Sequence, residues 1–155
     1  MTQRGGAVRA LMKPSLTKPG FTPAMALKLT LKPGERVAVN GAVIVNGDRR
    51  STLVIENQAR VLRERDILKP ENADTPAKRV YLPIMLMYLD PEDRARFFAE
   101  FELRLTQFAG AVSDAGALRT CAKLAAQVAN NDYYKALATC RALIDFEKTR
   151  LADVA

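Results

Sequence analysis

Between Leu27 and Pro70 lie nine basic side chains, Lys28, Lys32, Arg36, Arg49, Arg50, Arg60, Arg63, Arg65 and Lys69, and their type and spacing could do chemistry. A guanidinium is a planar fork that donates paired hydrogen bonds and keeps its charge, which suits phosphate oxygens and base edges. Anion recognition is therefore the chemistry to expect. Other chemistries lose their usual carriers. Histidine is absent, which removes Ser/His and Cys/His nucleophiles, histidine acid/base catalysis and most zinc or non-haem iron sites. Cys121 and Cys140 have no CxxC spacing and sit in helical patterns, so they read as buried reduced thiols in a cytoplasmic chain. There is no P-loop, dinucleotide fingerprint or GxSxG elbow. Acids alternate with arginines, as in Arg63-Glu64-Arg65-Asp66, a mixture typical of solvated faces with weak ion pairs. No catalytic, cofactor or metal residue is assigned, and an enzyme is not expected.

The formal net charge is +7, but its location changes its meaning. Arg4, Arg9, Lys13 and Lys18 are unopposed by any acid up to Ala24, so +4 of the +7 sits in this leader. Proline, glycine and a lack of periodicity make residues 1–24 read as disordered. Such a leader is either a basic arm touching phosphates or, more plainly, an unstructured extension or a start codon placed too far upstream of Met25. No apolar run is long enough for a signal peptide or a membrane span.

The elements that must position the basic residues follow from turns and alternation. In LKLTLK, Leu27, Leu29 and Leu31 point one way and Lys28, Thr30 and Lys32 the other, a half-buried strand with a cationic outer face. Pro33-Gly34 reads as a turn, and Asn40-Gly41 and Asn46-Gly47 as two-residue hairpin reversals. Strands are expected near Arg36 to Val39, in AVIV, in RRSTLVI and in ARVLRERDIL. After Pro70, ENADTPAK reads as a polar link and RVYLP as extended, because a residue preceding proline is pushed from the α region. A short helix, Ile84 to Leu89, can follow. Asp90-Pro91-Glu92-Asp93 opens a helix with Phe98, Phe101, Leu105 and Phe108 on one face, closed at Gly110. Ser113 or Asp114 caps the next, with Leu118, Cys121, Ala122, Ala125 and Val128 as its stripe. Asn131 or Asp132 caps the last, which carries Tyr133, Leu137, Cys140, Ile144 and Leu151. The expected fold is α+β: a leader (1–24), a small antiparallel β-module of about five strands (25–78) and a helical region of three to four helices (79–155).

From Met25 to Lys78 there is no Phe, Tyr or Trp, so a sheet that reads single-stranded RNA by stacking bases on aromatics is disfavoured. Nucleic acid binding here would use arginine forks, backbone groups at an exposed strand edge, and shape. The alternative is that these charges merely keep strand edges soluble, and composition leaves both readings open.

The run LKLTLKPGERVAVNGAVIVNGDRRSTLVIENQARVLRERDILKP, followed by PAKRVYLPIMLMYLD and DYYKALATCRALIDFE, resembles the FlbT family of flagellum biosynthesis regulators from alphaproteobacteria. The likeness spans Met25 to the C-terminus and leaves the leader outside. It implies a post-transcriptional repressor that associates with the 5′ untranslated region of flagellin mRNA and promotes its degradation, although some members are understood to favour flagellin expression. LTLKPGE and VLRERDI are in turn similar to the carbon storage regulator, a β-stranded dimer that binds GGA-containing loops in mRNA leaders. The matching positions are Leu29 to Glu35 and Leu62 to Ile67. That similarity implies that Lys28, Lys32, Arg63 and Arg65 flank a strand edge holding unpaired bases, with Arg49 and Arg50 on phosphates. Arg60 completes the expected RNA-binding set. Expected partners are the flagellin mRNA leader, a flagellin chaperone or other flagellar regulator, and further copies of the chain in a homo-oligomer. A rival expectation is a protein adaptor that acts with the chaperone through its helical half and affects mRNA indirectly.

Overall fold

A computed structural model of the chain describes residues 26–154, so the expected leader, 1–24, lies outside the described residues. The chain forms two compact units, one ending at Val61 and the other starting at Leu62. The fold class is α+β, with strands first and helices after them.

In the first unit β1 (Leu27–Leu31) pairs antiparallel with β4 (Ser51–Ile55), setting Leu29 opposite Leu53 and Lys28 opposite Val54. The period-two alternation holds from Lys28 onward, since Leu29 and Leu31 are buried while Lys28 and Thr30 are exposed, whereas Leu27, expected on the buried face, is exposed at the strand's start. In a second sheet β2 (Arg36–Val39) lies between β3 (Ala42–Val45) and the start of β5 (Val61–Arg63). Leu29, Leu31 and Val37 form the core, flanked by Val39, Leu53, Ile55 and Val61. Asn40 and Gly41 take φ of 51° and 86°, the left-handed pair that a tight reversal between β2 and β3 requires. At Pro33-Gly34 the turn closes with the Glu35 N–H donating to the Lys32 carbonyl at 3.0 Å, and Gly34 has φ of 72°.

Asn46-Gly47 is not the expected hairpin. β4 pairs with β1 instead of β3, so the loop must carry the chain from one sheet to the other. Its Asn46 amide donates to the carbonyls of Leu31 (3.2 Å), Lys32 (2.8 Å) and Arg49 (2.8 Å), and its Oδ1 accepts from the Ser51 hydroxyl at 2.7 Å. A loop with few apolar side chains is thereby tied to the β1 turn through backbone groups. The fifth strand is also shorter than expected, because Glu64–Asp66 coils into a 3₁₀ turn.

In the second unit α1 (Pro76–Leu89) corrects the expectation of a polar link, an extended RVYLP and a short helix. Thr75 caps it by accepting from the Lys78 N–H (3.3 Å), Pro76 holds the first position, and the Ala77 N–H donates to the Glu147 carboxylate at 3.0 Å. Pro83 sits inside the helix and removes one internal hydrogen bond, a disruption of about 3 kcal/mol. Against that, Ala77, Val80, Ile84 and Met87 are fully buried and Tyr81 and Met85 nearly so. At about 1.5–3 kcal/mol for each large side chain, burial outweighs the proline.

Asp90 accepts from the Glu92 N–H at 3.2 Å and opens a 3₁₀ turn, Pro91–Asp93, leading into α2 (Arg94–Ala111), which runs through Gly110. Phe101 and Phe108 are buried, Leu105 is half-buried and Phe98 is exposed, so the aromatic face is narrower than its spacing implied. Asp114 caps α3 (Ala115–Ala129) by accepting from the Ala117 N–H at 2.8 Å. The buried stripe of α3 is Ala117, Cys121, Leu124 and Val128, while Leu118, Ala122 and Ala125 face solvent. In α4 (Tyr133–Val154) the buried residues are Tyr133, Ala136, Leu137, Cys140 and Leu143, Ile144 is half-buried, and Leu151 is exposed. The first helix packs against α2 and α4, and α3 packs against α4. Among the described residues no helix is long and apolar enough to cross a membrane.

Candidate nucleic-acid interface

The first unit presents Lys28, Lys32, Arg49 and Arg50 as exposed cations. Their positions follow from the local fold. Lys28 lies on the outer face of β1, Lys32 begins the Pro33-Gly34 turn, and Arg49 and Arg50 end the loop that Asn46 ties to Lys32. Asn46 bonds the Lys32 and Arg49 carbonyls at the same 2.8 Å, so these two backbone positions share one amide. None of the four makes a salt bridge among the described residues. Arg60 is different. It is half-buried, its backbone bonds both the main chain and the side chain of Asn40 (Asn40 N–H to Arg60 carbonyl 2.8 Å, Arg60 N–H to Asn40 Oδ1 2.9 Å), and its Nε is buried without a hydrogen-bond partner among the described residues.

In the second unit Arg63 is half-buried at the end of β5 and Arg65 projects from the 3₁₀ turn with 83% of its side chain exposed. Arg65 borders a cleft of about 240 Å³ that Lys78, Tyr81, Arg141, Asp145 and Lys148 also line. Its organising group is Asp66, whose carboxylate takes Arg141 Nη1 at 2.6 Å and has Arg65 Nε at 3.8 Å. The Tyr81 hydroxyl donates to the Asp66 carbonyl at 2.6 Å. Burial pushes the Tyr81 phenol up to about 12, opposed by Arg141 and reinforced by Asp66. Arg65, Lys78, Arg141 and Lys148 against Asp66 and Asp145 leave the cleft with two excess positive charges. An anionic oxygen fits there better than a cation.

Lys78, Arg141 and Lys148 are outside the expected set. The pair Arg141 and Asp66 is separated by 75 positions, so no local motif joins them. The available signal was the spacing of Arg141, Asp145 and Lys148, which puts all three on one face of a helix. The Tyr133-Tyr134 pair divides: Tyr133 is buried beneath the Arg94 guanidinium, 4.7 Å from its ring centre, whereas Tyr134 is exposed and packs 5.8 Å from Tyr88. Both thiols are buried, and burial raises the Cys121 and Cys140 pKa values, which disfavours the reactive thiolate.

Residues 27–151 match the family model described as flagellar protein FlbT. The chain belongs to the FlbT family. The flagellum biosynthesis repressor protein FlbT of Caulobacter vibrioides (strain ATCC 19089) is 48% identical over 130 residues, 84% of this chain and 92% of its own length. A probable flagellum biosynthesis repressor protein FlbT from Caulobacter sp. (strain K31) is also 48% identical, over 84% of this chain and 99% of its own. A probable FlbT 1 repressor from Bradyrhizobium diazoefficiens is 41% identical over 125 residues, 80% of this chain and 84% of its own. No solved structure matches the chain. The FlbT match begins at the first residue of β1, so it includes every exposed cation described above and leaves the leader outside.

Proposed function

We propose that this protein represses flagellum biogenesis after transcription by binding the 5′ untranslated region of flagellin mRNA and promoting the degradation of that message. Membership in the FlbT family, whose relatives are named as flagellum biosynthesis repressors, supports the biological role. The observation that carries the RNA reading is the set of exposed cations whose side chains form no salt bridge among the described residues, Lys28, Lys32, Arg49 and Arg50, two of them held at one turn by Asn46. Unpaired guanidinium and ammonium groups cost little to bring against phosphates, since no existing ion pair is broken. The cleft at Arg65 offers a second group of phosphate contacts. Charge reversal tests the assignment. Lys28→Glu with Lys32→Glu, and separately Arg65→Glu with Lys148→Glu, should each weaken binding to a flagellin leader RNA by roughly tenfold or more. Lys123→Glu, on the exposed face of α3, is the matched control and should change little. Binding untouched by either pair would remove these residues from the interface.

The adaptor reading keeps one structural argument. A groove of about 310 Å³ between α1 and α2 is lined by Leu82, Pro83, Leu86 and Phe97, with Arg79, Glu100 and Arg104 at its margin. Its apolar lining suits the apolar face of an amphipathic partner helix. Capture of a flagellar protein that survives ribonuclease, together with no shift of purified RNA, would choose this reading.

A further inference from the structure

Among the described residues, the longest run of apolar side chains left facing solvent is β3. Ala42, Val43, Ile44 and Val45 are all exposed, at 60% for Val43, 40% for Ile44 and 55% for Val45. Its neighbour β2 is the opposite, with Val37 and Ala38 buried although they point to opposite faces. β3 is the edge of its sheet. Monomeric proteins guard such edges with lysine, proline, a bulge or a covering loop. Here Ala42–Val45 has no charge and no proline, and its register against β2 is unbroken.

The hydrogen-bond phase of this edge is fixed by two observations. A tight two-residue reversal at Asn40-Gly41 makes Val39 and Ala42 an exchanging pair. At the other end the Asn46 N–H donates to the Glu35 carbonyl at 2.8 Å, so Glu35 and Asn46 are again in the exchanging phase. Alternation then makes Val37 and Ile44 exchange as well, and turns the N–H and C=O groups of Val43 and Val45 outward.

We propose that a second copy of this chain pairs antiparallel with β3, edge to edge, about a two-fold axis passing beside Ile44. In that register Val43 of each copy faces Val45 of the other, and these are the residues whose backbone groups point outward. Each symmetry-related pair exchanges both of its N–H···O bonds. Ile44 faces its own counterpart, and because Ile44 lies opposite the buried Val37, an aliphatic row Val37, Ile44, Ile44, Val37 crosses the joint. No like charges meet, since the paired segments are uncharged. RNA is a poor occupant, because β3 carries neither an aromatic ring for a base nor a cation for a phosphate. The same strand serving both sides is the hallmark of an isologous contact. A strand edge this short lies at the lower end of specific interface sizes, so association depends on concentration.

Cysteine substitution in the full chain reads both the contact and its register. Facing residues in a non-exchanging antiparallel pair have Cα atoms about 4.5 Å apart, within disulfide range, whereas diagonal positions are about 7–8 Å apart. Ile44→Cys should form a covalent dimer rapidly under mild oxidation, and Val43→Cys should lag well behind it. The native Cys121 and Cys140 are buried and serve as the background. Sedimentation across a concentration series should show the unsubstituted protein approaching twice its monomer mass. Ile44→Lys, which sets two charges face to face, should stay monomeric while unfolding as cooperatively as the parent. A parent that remains monomeric, a dimer that survives Ile44→Lys, or equal cross-linking at positions 43 and 44 would each overturn the proposal. None of these readouts involves RNA, so they are independent of the proposed function.

Discussion

Asp66 shows how one carboxylate can organise several cations. It is only 11% exposed, holds Arg141 at 2.6 Å and keeps Arg65 within 3.8 Å while its backbone carbonyl accepts from Tyr81. The Tyr81 phenol gives this region a pH signature. Its folded pKa, near 12, lies above the unfolded value of 10.0, so the folded state binds the proton more tightly. Stability from this group is complete below pH 10 and is lost as pH rises from there toward 12. Denaturant unfolding at increasing alkaline pH should show that decline, and Tyr81→Phe should flatten it while costing about 0.5–1.5 kcal/mol at neutral pH for the lost hydrogen bond. The thiols give a second signature. With both buried and their ionisation disfavoured, alkylating reagents should label Cys121 and Cys140 slowly in the native protein and at once in denaturant. Arg65 was legible as a cation from its type, but its neighbours Lys78, Arg141 and Lys148 were not. Long-range proximity has no local spacing.

Among the elements, those governed by alternation and turn chemistry were readable and those governed by packing were not. β1 has the face that LKLTL dictates, and Asn40-Gly41 makes the reversal that its residue types demand. Asn46-Gly47 has the same turn chemistry and a different outcome, because β4 is recruited by β1 and the loop must bridge two sheets. Asn46→Ala should therefore destabilise the first unit by about 1–2 kcal/mol, measured by chemical denaturation, since it strips three carbonyls and the Ser51 hydroxyl of a partner. If Lys32 and Arg49 contact RNA as proposed, a weakened grip on RNA accompanies it, as their carbonyls lose their shared amide. α1 departs from its local signals for a related reason. Pro83 is a local stop signal, and burial on nearly every side of the helix overrides it. Truncating its cap, Thr75→Ala, should cost about 1 kcal/mol in the same measurement.

For the whole molecule, net charge is a poor guide to the proposed interface. Of the +7 total, +4 belongs to residues 1–24, which precede both the described residues and the family match. What remains is a mildly basic chain in which Lys28, Lys32, Arg49 and Arg50 form no salt bridge among the described residues. Strand alternation and the cap signals conveyed the α+β class, and quoted segments conveyed the FlbT family. The grouping of Arg65 with Lys78, Arg141 and Lys148 required the fold. The most direct measurement is a salt titration of binding between the purified protein and a flagellin 5′ leader RNA, performed with and without residues 1–24. If the exposed cations neutralise phosphates, log affinity falls linearly with log salt, with a slope of roughly −0.7 for each phosphate contact to single-stranded RNA. Removing the leader should leave most of that slope in place. No binding by the purified protein, or binding indifferent to salt, would contradict direct recognition of the message.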